Sequence, residues 1–92
     1  MLEILLVLSE KYKKLSTNTA SESKVCRMMD ALVCHSYEWP DDKIGRWLGY
    51  VQCLLIEVEH VTTVEDERNT TRPLFHEYYS SKGINIPESY PI

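Results

Sequence analysis

The sequence has little of what several specialised protein classes require. Ten Lys and Arg stand against fourteen Asp and Glu, and the formal net charge of −4 excludes the basic excess of a general nucleic-acid coat. Three glycines and four prolines in 92 residues are too few for a turn-rich β-sandwich. Hydrophobic residues make up 43% and charged residues 26%, which predicts a globular chain rather than a disordered one. We therefore expect a single domain over residues 1–92.

Cysteines are too few for a disulfide framework, since the chain has three, an odd number. We expect reduced thiols, buried as small hydrophobic side chains, in a cytoplasmic protein. No C-x-x-C or H-x-x-x-H spacing exists, so we expect no metal site and no cofactor. The largely apolar residues 1–8, interrupted by Glu3, lack the basic flank and cleavage site of a signal peptide. They also fall far short of the roughly 20 apolar residues that span a bilayer. We expect no membrane association.

Apolar residues recur at helical spacing in the first half of the chain. Residues 2–15 form the first predicted helix, and residues 22–35 form the second, with Ser21 as its N-cap. The small polar residues between them predict a loop. Trp39 ends this region, because the residue before a proline, here Pro40, avoids the helical conformation.

The third predicted helix has the most regular pattern. From residue 41 to about residue 60, apolar residues follow the spacing of three and four that is typical of an amphipathic helix. A fourth helix is expected to begin at Thr62 or Thr63. Thr62 and Glu65 have the spacing of a capping box, and the acidic residues that follow favour the positive end of a helix.

The last part of the chain contains residues that interrupt helices. Pro73 would kink or split the fourth helix, because it removes one backbone hydrogen bond. Gly83 is expected to end that helix, and residues 84–92, with two prolines, to form an extended tail. No segment shows the alternation of a strand. We predict an all-α fold, a four-helix antiparallel bundle-like domain with an extended C-terminal tail.

Two polar stripes are the candidate binding residues. They are Lys43, Arg46 and Tyr50 on the third helix, and Arg68, Arg72 and His76 on the fourth. A short turn joins the two helices, so we expect the stripes to converge. Guanidinium groups beside an aromatic ring suit a phosphate or a carboxylate, which they bind bidentately. The alternative is that the arginines of the fourth helix pair with Glu65 and other carboxylates on a solvated face.

Small and aromatic residues predict two further contacts. Gly45 and Gly49 lie four residues apart on the third helix, where each glycine costs about 1 kcal/mol. We therefore expect another backbone close to them, from the same chain or from a second copy. Two adjacent tyrosines near the end of the fourth helix cannot both point inward, which predicts an exposed contact patch around Tyr79, Tyr90 and Ile92.

The sequence offers no catalytic set. Five carboxylates at positions 57, 59 and 65–67 invite comparison with the all-α, metal-dependent nucleotide pyrophosphatases, which place paired acidic motifs on two facing helices. Here the acids crowd one helix start and a loop, and helix capping explains them. A nucleophilic cysteine needs a nearby base, and nothing in the spacing places one. We expect no enzymatic activity and no catalytic residue.

Two segments of the C-terminal half carry a resemblance. They are residues 42–52, DKIGRWLGYVQ, and residues 67–76, ERNTTRPLFH. These segments resemble small accessory proteins encoded by tailed bacteriophages. The resemblance implies a setting, the cytoplasm of an infected bacterium, and by analogy the binding and disabling of a host enzyme or defence factor. It implies no activity and no site residue.

These observations favour a protein that works by stoichiometric binding. We expect a host protein as partner, contacted by the exposed parts of the third and fourth helices, and a homodimer or higher oligomer is compatible with the sequence. The alternative is a nucleotide or phosphate ligand held by Arg46, Arg68, Arg72 and His76. Nucleic acid is not the expected partner, because the chain is acidic overall.

Overall fold

Four helices, and no strand, are present in residues 1–83, the part of the chain that a computed structural model describes. The helices are α1 (Leu2–Leu15), α2 (Glu22–Cys34), α3 (Asp41–Cys53) and α4 (Val64–Ser81). The predicted all-α, four-helix domain is confirmed over these residues. The predicted extended tail, residues 84–92, lies outside the described residues. Within the described part, no helix is both long enough and apolar enough to cross a bilayer.

The core is built from one side of each helix. Every helix presents apolar residues at spacings of three and four, and these meet in the interior. The residues with no more than 2% exposure include Leu5, Leu8, Tyr12, Val25, Met29, Leu32, Ile44, Leu48, Val51, Leu55 and Phe75. Burial of this apolar area is the main stabilising contribution, at about 25 cal/mol per Å².

Side-chain contacts between distant residues show that consecutive helices run antiparallel. Lys24, at the start of α2, donates a hydrogen bond to Tyr50, near the end of α3. Asp41, at the start of α3, accepts one from Tyr79, near the end of α4. The Lys11 ammonium, late in α1, pairs with the Glu67 carboxylate in the first turn of α4. The contact between α2 and α3 and the contact between α1 and α4 share no helix, so they lie on opposite edges of the four-helix bundle.

A π-helical turn extends α3 from Leu54 to Val58. The Glu59 amide donates a 2.9 Å hydrogen bond to the Leu54 carbonyl, five residues earlier. In an α-helix the acceptor would be four residues earlier, so this turn is wider. His60 then adopts a left-handed conformation, with φ of 54°, and reverses the chain. The predicted end of the third helix near residues 59–60 agrees with these positions.

The start of α4 differs by one residue from the predicted capping box. Thr63, not Thr62, is the N-cap, and its hydroxyl accepts a hydrogen bond of 3.1 Å from the Asp66 amide. Thr62 binds instead to the carboxylate of Glu67, at 2.7 Å. From there α4 continues as one helix through Pro73 to Ser81, so the proline does not split it.

Glu67 forms the centre of a buried polar cluster that joins α4 to α1. Its side chain is fully buried, although helix capping was the expected role of the acidic residues at this helix start. The Lys11 ammonium lies 2.9 Å from Glu67 Oε2 and also donates to the Thr70 hydroxyl at 3.0 Å. Burial chiefly, and then the neighbouring Glu67 carboxylate, raises the pKa of the Tyr12 hydroxyl. Tyr12 in turn accepts a hydrogen bond from the Gln52 amide of α3, at 3.0 Å.

Candidate binding groove

The candidate residues of α3 line a groove between α2 and α3. Lys43, Arg46 and Tyr50 fall on one side of α3, at spacings of three and four residues. The groove has a volume of about 560 Å³. We call it the basic-aromatic groove, and it is lined by Lys24, Met28, Lys43, Arg46, Trp47 and Tyr50.

Two of its cations are held by aromatic rings. The Lys24 ammonium donates a 2.7 Å hydrogen bond to the Tyr50 hydroxyl and lies 4.8 Å from the centroid of that ring. The Lys43 ammonium lies 4.1 Å from the Trp39 ring. Cation–π contacts of this kind fix an ammonium group without neutralising its charge. Within residues 1–83 neither lysine forms an ion pair with a carboxylate.

The third cation, Arg46, is held loosely. Its guanidinium lies 3.9 Å from the carboxylate of Asp42, one helical turn earlier, and the two side chains are 74% and 78% exposed. An exposed pair at this distance contributes little to stability. Arg46 can therefore turn toward an incoming anion at small cost.

Three aromatic rings in contact support one end of the groove. His35 stacks on Trp39 with ring centroids 4.6 Å apart and an interplanar angle of 11°. Trp39 contacts Trp47, a groove residue, at 4.7 Å. The imidazole of His35 is also held by the Glu38 carboxylate at 3.1 Å. The Lys43 ammonium thus lies over a ring that contacts with His35 and Trp47 hold in place.

The candidate residues of α4 do not join this groove. Asp41 contacts Tyr79, so the Asp41 side of α3 is the one that faces α4. Lys43 follows Asp41 by two residues, or roughly 200° around a helix, and therefore faces away from α4. The expected convergence of the two stripes is wrong. The order of the helices around the bundle, which the turn between α3 and α4 does not determine, separates them.

Arg68, Arg72 and His76 do follow one another along α4, because the helix is continuous. Arg68 and His76 are exposed, whereas Arg72 is half-buried. The Arg72 Nε atom is buried and has no hydrogen-bond partner. Neither arginine is ion-paired with Glu65 or with any other residue that the structure describes. This stripe remains a second candidate surface, but no aromatic residue of the basic-aromatic groove contributes to it.

The expected contact patch around Tyr79 needs correction. Tyr79 is buried, with 7% exposure, and its hydroxyl lies 3.4 Å from the Asp41 carboxylate. The adjacent Tyr78 is the half-buried one, because Tyr79 shares the inner side of α4 with Phe75. Tyr90 and Ile92, the other members of the patch, lie outside the described residues.

Two further expectations about small residues also change. Within residues 1–83, a Cβ atom at Gly49 would have no neighbour within 4 Å, so no backbone of the same chain comes close to that position. Contact with a second copy at this position stays a prediction.

The expected burial of the thiols is wrong for Cys34 and Cys53, which are exposed, while Cys26 is half-buried.

Sequence reasoning missed the contribution of α2 to the groove. Lys24 and Met28 lie four residues apart and therefore share one side of α2, beside its buried apolar stripe. That spacing was available in the sequence, but nothing local indicates which other helix faces it. An apolar floor with three cations around it suits a ligand that carries both negative charge and apolar surface.

A second groove on the opposite edge of the bundle provides a contrast. It lies between the N-terminal half of α1 and the C-terminal half of α4 and has a volume of about 460 Å³. Val7 and Leu74 contribute apolar surface, and Glu3 and Glu77 contribute carboxylates. No Lys or Arg among the described residues lines it. Of these two grooves, the basic-aromatic groove is therefore the one suited to anions.

Comparison with known proteins identifies no relative of this chain, since no family profile, no curated protein and no solved structure matches it.

Proposed function

We propose that this protein acts without catalysis, by stoichiometric binding of an acidic protein partner in the basic-aromatic groove. The resemblance to phage accessory proteins supports a host protein as that partner, in the cytoplasm of an infected bacterium. Binding would then disable the partner by occupying its surface, in the manner of a host-takeover or counter-defence inhibitor. Such an inhibitor needs a complementary surface and no active site.

The charge of the groove is the observation that carries this proposal. The chain has a formal net charge of −4, yet Lys24, Lys43 and Arg46 line one groove. Aromatic rings hold the two lysines, and among residues 1–83 the one ion-pair partner of Arg46 is the exposed Asp42. Carboxylates of a partner can therefore pair with these groups without breaking a strong internal ion pair. Tyr50, 45% exposed, and Trp47 supply the aromatic surface that dominates many protein interfaces.

The test is quantitative capture of partners from a bacterial lysate by the whole chain and by charge-reversed variants. We expect Lys43→Glu combined with Arg46→Glu to abolish capture of the specific partner. Arg27→Glu is the single-charge control, because Arg27 is exposed on α2 but does not line the groove. Arg68→Glu combined with Arg72→Glu examines the α4 stripe. Loss of capture with the α4 variant alone would assign binding to α4 and refute the groove.

A second candidate function is favoured by the size and lining of the same groove. A volume of about 560 Å³, with the Trp47 and Tyr50 rings beside three cations, is within the range of small-ligand sites. A nucleotide could stack on an aromatic ring and place its phosphates on the cations. Thermal unfolding with added nucleotides distinguishes this candidate. At a ligand concentration 100 times Kd, the free energy of unfolding should rise by about 2.7 kcal/mol.

A further inference from the structure

We infer that residues 84–92 dock, within the same chain, onto the groove between α1 and α4, with Ile84 and Ile86 against its apolar lining. We call this groove the α1–α4 groove. The inference goes beyond the proposed function, because it concerns the opposite edge of the bundle and holds whether or not the basic-aromatic groove binds a partner. It follows from the surface of the α1–α4 groove, from the way α4 ends and from the residues that come next.

The α1–α4 groove leaves apolar surface in water. Most of the residues that line it are apolar or aromatic. Two of them, Val7 and Tyr37, are 51% and 83% exposed. The charged side chains among the described lining residues are those of Glu3 and Glu77. The groove therefore suits an occupant that presents apolar side chains and no carboxylate beside these two.

The last turn of α4 ends at this groove and directs the chain toward it. Tyr78, in that turn, is one of the lining residues. Gly83 follows with φ of 74°, and its amide donates a 3.0 Å hydrogen bond to the Ser80 carbonyl. Both features are typical of a Schellman motif, in which the residue after the glycine frequently contacts the helix residue five or six positions earlier. For Ile84 these positions are Tyr79 and Tyr78.

The sequence that follows α4 supplies side chains of the required kind. Ile84 and Ile86 are two residues apart, so they share one side of an extended chain. Pro87 disfavours the helical conformation at Ile86 and favours an extended one. Residues 84–87 carry no charged side chain, so Glu77 does not repel them. The segment can thus present two isoleucines to the groove at a small cost in conformational entropy.

The segment is also long enough to follow the groove. On α4 the lining positions extend from Leu74 to Ser81, which is seven residues or about 10 Å of helix axis. Three residues of extended chain cover the same length. Residues 84–86 therefore suffice to follow α4 along the groove. Glu88 comes after that length has been covered, away from the two lining carboxylates.

Docking within one chain is favoured over docking on a second copy. Ile84 follows Ser81, a lining residue, by three positions. So short a connection gives the segment an effective concentration on the order of millimolar at its own groove. The basic-aromatic groove is a poorer match, because its three cations favour carboxylates over isoleucine side chains.

Methyl NMR of the full chain tests the inference directly. With Ile, Leu and Val methyl groups labelled, we expect nuclear Overhauser contacts from Ile84 and Ile86 to Val7 and Leu74, which both line the groove. A second sample mixes chains labelled only at Ile with chains labelled only at Leu and Val. The contacts should vanish in this mixture, because each chain then carries one half of every labelled pair.

Substitutions in the full chain provide an independent measurement. Ile84→Asp combined with Ile86→Asp removes both apolar side chains and adds two carboxylates. We expect it to shift the Val7 and Leu74 methyl signals and to lower Tm by about 4–8 °C. Asn85→Asp combined with Ser89→Asp is the matched control, because it adds the same charge at alternate positions of the segment. The control should leave Tm within about 2 °C of the original value.

Each other outcome overturns the inference. The absence of contacts from both isoleucines to Val7 and Leu74 refutes docking, and this measurement does not depend on any variant being folded. Contacts to Met28 instead would place the segment in the basic-aromatic groove. Contacts that persist in the mixed sample would identify a second copy as the source of the segment. Equal Tm values for the two double variants would show that the isoleucines contribute no packing.

Discussion

Removal of the partner of a buried carboxylate should be among the most damaging single changes in this protein. The Lys11 ammonium lies 2.9 Å from Glu67 Oε2, and the Glu67 side chain is fully buried. Its other oxygen, Oε1, is buried without a hydrogen-bond partner. Lys11→Met keeps most of the aliphatic stem but removes the positive charge. The Glu67 carboxylate then retains one strong donor, the Thr62 hydroxyl at 2.7 Å.

The magnitude follows from the exposure of the two partners. Breaking a fully buried ion pair typically costs 3–5 kcal/mol, because the remaining charge stays desolvated. The Lys11 side chain is 29% exposed, so water can partly replace it. We therefore expect Lys11→Met to lower the free energy of unfolding by about 2–3 kcal/mol. Glu67→Gln, which keeps the shape, should cost about 1–2 kcal/mol. The double variant should cost less than the sum, with a coupling of about 1–2 kcal/mol.

Urea unfolding followed by circular dichroism measures these differences. For a chain of this size, each kcal/mol corresponds to a shift in Tm of about 4–8 °C. Lys13→Met is the matched control, since Lys13 pairs with Asp30 on the surface, where both side chains are more exposed. Its expected cost is below about 1 kcal/mol. A Lys11→Met variant as stable as Lys13→Met, or a double variant whose cost is additive, would refute the reasoning.

Three further predictions concern single positions. Burial and the Glu67 carboxylate raise the pKa of Tyr12 above its unfolded value near 10. The stability linked to this shift is therefore present below about pH 10, and above it the free energy of unfolding falls by about 1.4 kcal/mol per pH unit. Tyr12→Phe should remove this contribution to the pH dependence of the free energy of unfolding, measured by urea titrations at pH 9–11, and an unchanged pH dependence would contradict it. His60→Gly should raise stability by about 0.5–1 kcal/mol, because φ is 54° there, and a fall in Tm would show that its side chain matters more. Leu8 is 0% exposed and Leu6 is 51% exposed. Leu8→Ala should therefore lower the free energy of unfolding by about 2–5 kcal/mol and Leu6→Ala by less than about 1 kcal/mol. Similar losses for the two variants would mean that α1 packs with a different side toward the core.

The local pattern predicted the helices well. The spacing of apolar residues is a property of each segment, and the observed α1, Leu2–Leu15, has the predicted bounds. The observed α2 and α4 differ from prediction by one or two residues at their ends. The identity of the N-cap was less accessible, because Thr62 and Thr63 are both good caps and only the tertiary contact of Thr62 with Glu67 decides between them.

The candidate site was predicted in part. Lys43, Arg46 and Tyr50 share one side of α3 because helical geometry alone requires it. Their neighbours were not predictable in the same way. Lys24 comes from a separate helix, and its approach to Tyr50 depends on how α2 packs against α3. Local pattern predicted Tyr79 in an exposed patch, whereas in the structure Tyr79 is buried and its hydroxyl contacts Asp41.

The amino-acid sequence by itself determined which residues are helical and which side of each helix is apolar, because both depend on neighbours within about four positions. Tertiary structure alone decided that Glu67 is buried against Lys11 and that the basic side of α3 faces α2 rather than α4. Such pairings join residues dozens of positions apart, and several packings bury the same apolar area. The choice among them depends on the fit of side chains from four helices at once, which no single segment encodes.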